Sequence, residues 1–291
     1  MTGSVGTSSG SFEIQSGANL TVGSGLNVSG TAGLVIASTA SVTGSLNYSS
    51  SVNSTIDGAI VGTSQTLTKS GSSTLTLSGT NTYTGATTID AGKLLVHGST
   101  AADSAFTVNN GATLGGRGTI GGTVTLMSGA TLSPGASIES LATGSNAWNG
   151  GSTVQVEFST DGSTGAAGTE WDLLAITGTL DLTGASSSTP IILDLVSMVN
   201  ATTAGALAVW DENVNATWTG FVTTTGGFAG FSADKFSFLT SNFANTLNGT
   251  FSVSQNGNNL DLNYMTNYVI PEPKAALLGG LGILLMLRRR R

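Results

Sequence analysis

Acidic side chains are the residues of this chain that best suit catalysis, because cleavage of a glycosidic bond usually needs two carboxyl groups a few ångströms apart. Glu170 and Asp172 flank a tryptophan, so on a strand they would share one face and could bind a sugar or Ca²⁺. Asp90, Asp103 and Glu139 are single and scattered. We favour a strand-end role for Glu170 and Asp172, with ligand binding as the alternative.

Other candidate motifs are incomplete. His97 is the only histidine and cysteine is absent, so no catalytic residue, metal site or cofactor is expected, and His97 is interpreted as a surface turn residue. Residues 161–165 resemble half a calcium loop without its later glutamate. Residues 115–118 are rich in glycine but lack the Gly-Lys-Ser/Thr of a phosphate-binding loop. Residues 161–165 are expected to form a hairpin or solenoid turn, and no phosphate site is expected at 115–118.

The elements that would position these residues are short strands. From Phe12 to about Thr183, apolar residues alternate with Ser, Thr and Asn between turns marked by glycine. A similar five-residue turn-plus-strand motif recurs at 110–114 and 128–132. A repeat near twenty residues predicts an all-β, parallel β-helix (β-solenoid) over 1–189, in which stacked coils bury a continuous core. An antiparallel β-sandwich is the alternative.

One stretch of the predicted solenoid resembles a known repeat. Residues 65–98 contain Lys69-Ser70-Gly71, Leu75-Thr76-Leu77-Ser78-Gly79, Asn81-Thr82-Tyr83-Thr84-Gly85 and Thr87-Thr88-Ile89-Asp90-Ala91-Gly92-Lys93-Leu94. This stretch resembles the autotransporter-associated β-strand repeat, and one clear copy is present. The resemblance implies a β-helical passenger of a secreted bacterial protein.

The amino-acid composition changes after residue 189, where aromatic residues become frequent. A solenoid needs a cap over its last open coil, so 190–268 is predicted to be a β-rich cap with at most one short helix.

The C-terminal segment, 269–291, has the composition of a sorting signal. Pro271, Glu272 and Pro273 precede thirteen apolar residues from Ala275 to Leu287, and then Arg288, Arg289, Arg290 and Arg291. As a helix the apolar run spans only ~20 Å, short for a bilayer core of ~30 Å. The arginines should stop its passage on the cytoplasmic side.

In this order the three parts resemble the PEP-CTERM signal of exopolysaccharide-producing Gram-negative bacteria. The resemblance implies an exosortase-like processing enzyme as partner and transient anchoring in the inner membrane. It also implies release to the outer surface or extracellular matrix, with exopolysaccharide as a further candidate partner.

Composition narrows the function classes. Charged residues make up 9% of the chain, and before Pro271 fifteen acidic residues face four basic ones, so nucleic-acid binding is not expected. Met1 to Gly10 lacks the basic and apolar regions of a signal peptide, from which we expect a true start further upstream, a fragment, or another export route.

Two functions remain open. The favoured one is a non-enzymatic, exported structural or adhesive protein of the cell envelope or matrix. The alternative is a secreted β-helical protein that binds or cleaves polysaccharide.

Overall fold

A computed structural model describes residues 5–135 and 137–268, where the regular secondary structure is almost entirely short strands. The first half contains β1 (Val5–Thr7), β2 (Ser11–Ile14), β3 (Asn19–Thr21), β4 (Leu26–Gly30), β5 (Gly33–Ile36), β6 (Ser41–Thr43), β7 (Leu46–Ser50), β8 (Ser54–Ile56), β9 (Ala59–Val61), β10 (Leu67–Lys69), β11 (Thr74–Leu77), β12 (Thr87–Ile89), β13 (Gly92–Val96), β14 (Ser99–Thr100), β15 (Phe106–Val108), β16 (Ala112–Gly116), β17 (Thr119–Ile120) and β18 (Val124–Leu126).

The second half adds longer strands and a single turn of 3₁₀ helix. Its elements are β19 (Thr131–Pro134), β20 (Ser140–Thr143), β21 (Asn146–Trp148), β22 (Thr153–Phe158), β23 (Leu173–Ile176), β24 (Leu180–Asp181), β25 (Ile191–Asn200), β26 (Thr203–Ala204), β27 (Ala216–Thr224), β28 (Phe228–Ala229), the 3₁₀ helix Ala233–Lys235, β29 (Phe236–Leu239), β30 (Gly249–Asn256) and β31 (Asn259–Thr266). No helix among the described residues has the length and apolar character to cross a bilayer.

These strands stack into a parallel β-solenoid, which confirms the predicted fold class. The first face is the 10-stranded sheet β1-β4-β7-β10-β12-β15-β18-β21-β24-β28, and the second face is the sheet from β2 to β26 that also includes β29. Leu26, Leu46, Leu67 and Thr87 occupy one column of the first face, about 20 residues apart. This spacing confirms the repeat seen in the sequence.

The third face is assembled from two sheets. Its first part is β3-β6-β9, and its second part is β14-β17-β20-β23-β27-β31-β30. Asn81 connects these two sheets. Its side-chain Oδ1 accepts a hydrogen bond from the Ile60 amide at 3.0 Å, and its backbone amide donates to the Ser99 carbonyl at 2.8 Å. The three faces enclose a core in which every second strand residue is buried, as the alternation predicted.

The region after residue 189 continues the solenoid before closing it. β25, β27, β28 and β29 all pair in parallel with neighbouring coils, and the only long antiparallel pairings in the described chain are β27–β31 and β30–β31. The hairpin of β30 and β31 places Phe251, Val253 and Leu262 against the last coil. The short helix expected in this region is the 3₁₀ turn at 233–235.

Candidate functional site

Ionisable side chains collect where the second face turns into the third. This corner lengthens along the chain, from residues 97–98 and 117–118 to 135–139 and 159–172. The lengthening brings together Glu139, Glu157 and Asp172, which we call the acidic corner. Glu139 was interpreted from the sequence as a single, scattered acid, and that interpretation was wrong. Residues so far apart meet because the chain makes extra excursions between successive coils.

Asp172 is the buried centre of the acidic corner, with 2% of its surface exposed. Its Oδ2 accepts a hydrogen bond from the Glu157 amide at 2.9 Å, and its Oδ1 accepts one from the Glu139 amide at 3.3 Å. Burial raises the pKa of Asp172 well above its usual range, although these amide bonds oppose the shift and the nearby charges of Glu157 and Glu139 add to it. Asp172 therefore links the end of β22 to the start of β20.

Glu157 is the second acid with a displaced pKa. Burial raises the pKa of Glu157, the Lys93 charge opposes the shift, and the Asp194 charge adds to it. Its Oε2 is buried and has no hydrogen-bond partner among the described residues. Glu139 differs, because it forms a 3.1 Å ion pair with Arg117 at the surface. The corner thus holds two poorly solvated acids next to one that is ion-paired.

The alternative view of Glu170 and Asp172 as a pair on one face is wrong. Residues 166–170 form a turn, in which the Glu170 amide donates to the Ala166 carbonyl at 3.0 Å. The Glu170 carboxylate is exposed and accepts hydrogen bonds from the Ala166 amide at 2.9 Å and from the Thr169 hydroxyl, and these bonds lower its pKa. Asp172 points inward instead. Because the segment is not a strand, the two-residue periodicity does not apply.

His97 lies at the same corner, one residue past β13. It is half-buried, and its Nε2 is enclosed without a partner in the described chain. Burial lowers the pKa of His97, and the Arg117 charge lowers it further while Glu139 opposes the shift. The turn position agrees with the sequence, but the ring is less exposed than a surface turn residue would be.

Neither incomplete motif forms a ligand-binding loop, because residues 161–165 close a local turn and residues 115–118 are the end of β16 and the corner after it. Asp161 Oδ1 accepts hydrogen bonds from the amide of Ser163 at 3.0 Å and from its hydroxyl at 2.6 Å, which closes a local turn. In the glycine-rich segment, the amides of Gly116 and Gly118 donate to the carbonyls of Gly135 and Val96. Those amides are therefore not available to a phosphate.

Candidate metal ligands and the predicted sorting residues lie in different parts of the chain. Within the described residues no group of three His, Cys, Asp or Glu side chains could hold a metal ion. The sorting residues Pro271, Glu272 and Pro273, and the arginines 288–291, lie outside the described residues.

Residues 67–96, which we call the coil, make about one and a half turns of the solenoid, because β10 pairs with β12 and β11 with β13. They carry polar side chains in their interior. Lys69 is fully buried and donates to the carbonyls of Gly71 and Ala91, the latter at 3.1 Å. Tyr83 is also buried, and its hydroxyl lies 2.7 Å from the Thr87 hydroxyl. Gly92 has a φ of +69°, and a Cβ there would come 2.3 Å from the Gly71 carbonyl oxygen. The coil therefore depends on specific residue types at its corners.

Residues 67–96 match the family model of the Passenger-associated-transport-repeat. The match lies inside the 65–98 stretch singled out from the sequence and covers β10 to β13. It spans about a tenth of the chain, so the similarity applies to this segment and not to the whole protein. No curated protein matches the chain.

Proposed function

We propose that this chain is an exported, non-enzymatic protein with a structural or adhesive role in the cell envelope or extracellular matrix of a Gram-negative bacterium. The observation that carries the proposal is the passenger-type coil at 67–96, which stacks within a continuous parallel solenoid. A repeat of this family on a β-helical scaffold fits an exported structural or adhesive protein. The rigid stack presents a long surface while each coil contacts only its neighbours.

The acidic corner supports a role in holding the fold. Both oxygens of Asp172 are occupied by backbone amides, and its side chain has almost no surface from which to reach a substrate. A general acid must come within hydrogen-bond reach of the group that it protonates. The corner therefore fits a brace between coils better than a catalytic pair.

Delivery is the second part of the proposal. We assign sorting to 269–291, with Pro271-Glu272-Pro273 as the motif gripped by an exosortase-like enzyme. The apolar run would hold the chain transiently at the inner membrane, and Arg288 to Arg291 would stop its passage. The mature protein would then lack 275–291.

Replacing Pro271, Glu272 and Pro273 with alanine in a matrix-producing strain tests delivery. We expect the parent to be recovered from the extracellular fraction without 275–291, and the variant to stay unprocessed with the membranes. Asn267→Ala combined with Tyr268→Ala changes exposed residues just upstream and should be processed like the parent. Mass spectrometry of the C-termini is the readout. A parent that keeps its four arginines in the matrix would refute sorting.

A secreted carbohydrate-active protein is the second candidate, and the raised pKa values of Asp172 and Glu157 are the observation that favours it. The test is polysaccharide cleavage by the purified chain, compared with Asp172→Asn and Glu157→Gln. We expect no cleavage that depends on either acid. We also expect His97→Ala and a Glu170→Gln, Asp172→Asn double change to leave any activity intact. Cleavage that disappears in an Asp172 or Glu157 variant whose thermal stability matches that of the parent would establish an enzyme instead.

A further inference from the structure

A groove of about 460 Å³ lies on the outer face of the second sheet, across β2, β5 and β8. Gly33 has no side chain and so leaves room in its floor. Val35 and Val52 line it with apolar surface, and they remain 42% and 38% exposed. Its size falls within the usual range of about 300–1,000 Å³ for small-molecule sites.

Polar groups line the same groove. The hydroxyls of Ser11, Thr31 and Thr55 and the carboxylate of Asp57 belong to exposed side chains that line it. The side chain of Asn53 accepts a hydrogen bond from the Thr74 amide at 2.8 Å, which fixes its orientation and leaves its NH₂ available. The groove therefore offers donors and acceptors around a small apolar surface.

Several ligand classes do not fit this lining. A purely apolar ligand would strip water from the polar groups without replacing their hydrogen bonds. An extended peptide would need a free strand edge, yet β5 is paired with both β2 and β8. An anion would find no counter-charge, because residues 1–68 contain no lysine or arginine and carry only Glu13 and Asp57 as charged side chains.

A sugar ring has the complementary chemistry, with apolar C–H faces and hydroxyls around its edge. We propose that the groove binds a sugar unit of a neutral polysaccharide. The ring would pack on Val35 and Val52, and its hydroxyls would bond to Asn53, Thr55 and Asp57. This inference names a ligand class for the adhesive role proposed above and rests on that role.

Filling the groove gives the sharpest test. A Cβ at Gly33 would lie 3.8 Å from Ser11 Oγ and 3.9 Å from Ser54 Oγ, which is ordinary contact, so Gly33→Val should fold while occupying the floor. We expect the full chain to bind neutral β-linked glucose or galactose oligosaccharides in calorimetric titrations, and Gly33→Val to weaken binding at least about tenfold. Equal binding by a Gly33→Val variant with unchanged thermal stability would overturn the proposal.

A matched pair of threonines provides the control. Thr55 and Thr76 are neighbours in one outward column, but only Thr55 lines the groove. We expect Thr55→Val to weaken binding several-fold and Thr76→Val to leave it unchanged. Polyuronate oligosaccharides should bind more weakly than neutral ones, and equal binding of both kinds would also overturn the proposal. Export and processing are read separately from the C-terminal mass, so a failed sugar titration would leave the sorting result intact.

Discussion

The coil at 67–96 and the C-terminal closure, which is the aromatic-rich end of the solenoid from β25 to β31, are stabilised by different means. The coil has further turns of the solenoid on each side, and its buried polar groups connect successive turns. Lys69 donates to the Ala91 carbonyl, and Asn81 accepts a hydrogen bond from the Ile60 amide. The Tyr83 hydroxyl meets that of Thr87, which lies 3.2 Å from the Ser104 hydroxyl. The closure has a neighbour on one side only. There Phe158, Trp218 and other aromatic rings lie within about 4.6–6.4 Å of one another.

This difference follows from what each region has to cover. An internal coil buries its apolar side chains against two neighbours, so a few polar groups can be enclosed where they meet carbonyls and amides of the next coil. The last coil would expose its core, and large aromatic side chains with the β30–β31 hairpin cover it. We therefore expect hydrogen-bond deletions to act mainly on the coil and ring deletions on the closure.

Trp218→Ala should give the largest effect. Trp218 is fully buried, its ring centre lies 4.6 Å from that of Phe158 and 6.1 Å from that of Phe251, and its Nε1 donates to the Thr160 carbonyl at 2.9 Å. We expect the free energy of unfolding to fall by about 3–5 kcal/mol in denaturant titrations. Val214→Ala, at an exposed position, should change it by less than about 0.5 kcal/mol.

Hydrogen exchange sharpens the same experiment. If the closure is a local cap, amides in 191–264 should lose protection in Trp218→Ala while amides in 26–126 keep most of theirs. Equal loss of protection along the whole chain would contradict the separation of the two regions.

Asn81→Ala should have a smaller effect, centred on the coil. The substitution removes the acceptor for the Ile60 amide and the donors to the carbonyls of Gly79 and Ser99, all at a buried position. We expect a loss of about 2–3 kcal/mol, because buried groups are left without partners. Faster exchange of the Ile60 amide in this variant, but not in Trp218→Ala, would confirm where the effect lies. Thr82→Ala, at an exposed neighbour, is the control.

The fold could be predicted from the sequence because its signals are local and repeated. The spacing of about 20 residues and the alternation in segments such as 74–77 are fixed by strand geometry, and both are confirmed. The parallel pairing of β25 with β22 and of β29 with β25 was not predicted. The paired residues are about 39 and 45 positions apart in sequence, well outside the spacing of about 20 residues.

The acidic corner could not be predicted for a related reason. Asp172 bonds to the amides of Glu139 and Glu157, which precede it by 33 and 15 residues, so no single spacing signals the cluster. The pairing of Glu170 with Asp172 on one face was inferred wrongly, because the two-residue alternation of a strand was assumed across a turn. Its one usable signal is the glycine at 168, whose φ of +83° marks a turn immediately before Glu170.

Lys69 gives the smallest predicted effect, visible as a dependence on pH. Burial lowers the pKa of Lys69 from its ordinary 10.5 to about 8, so between these values the unfolded chain binds more protons than the folded one. Stability should therefore increase as pH rises above about 8, by about 1–2 kcal/mol up to pH 9.5 from this group. Lys69→Met removes the charge at similar volume and should abolish that contribution, although the carbonyls of Gly71 and Ala91 lose a donor.

Denaturant titrations at pH 7, 8 and 9.5 measure the Lys69 contribution as the difference between parent and Lys69→Met. Lys235→Met is the control. Lys235 also donates to a carbonyl, that of Leu182 at 3.0 Å, and its side chain is partly buried in the closure, so Lys235→Met controls for the loss of an ammonium–carbonyl hydrogen bond. If the parent and Lys69→Met show the same pH profile, the ammonium is solvated in the folded state. The coil would then enclose hydrogen-bonded polar groups but no charge, which would narrow its difference from the aromatic closure to hydrogen bonding alone.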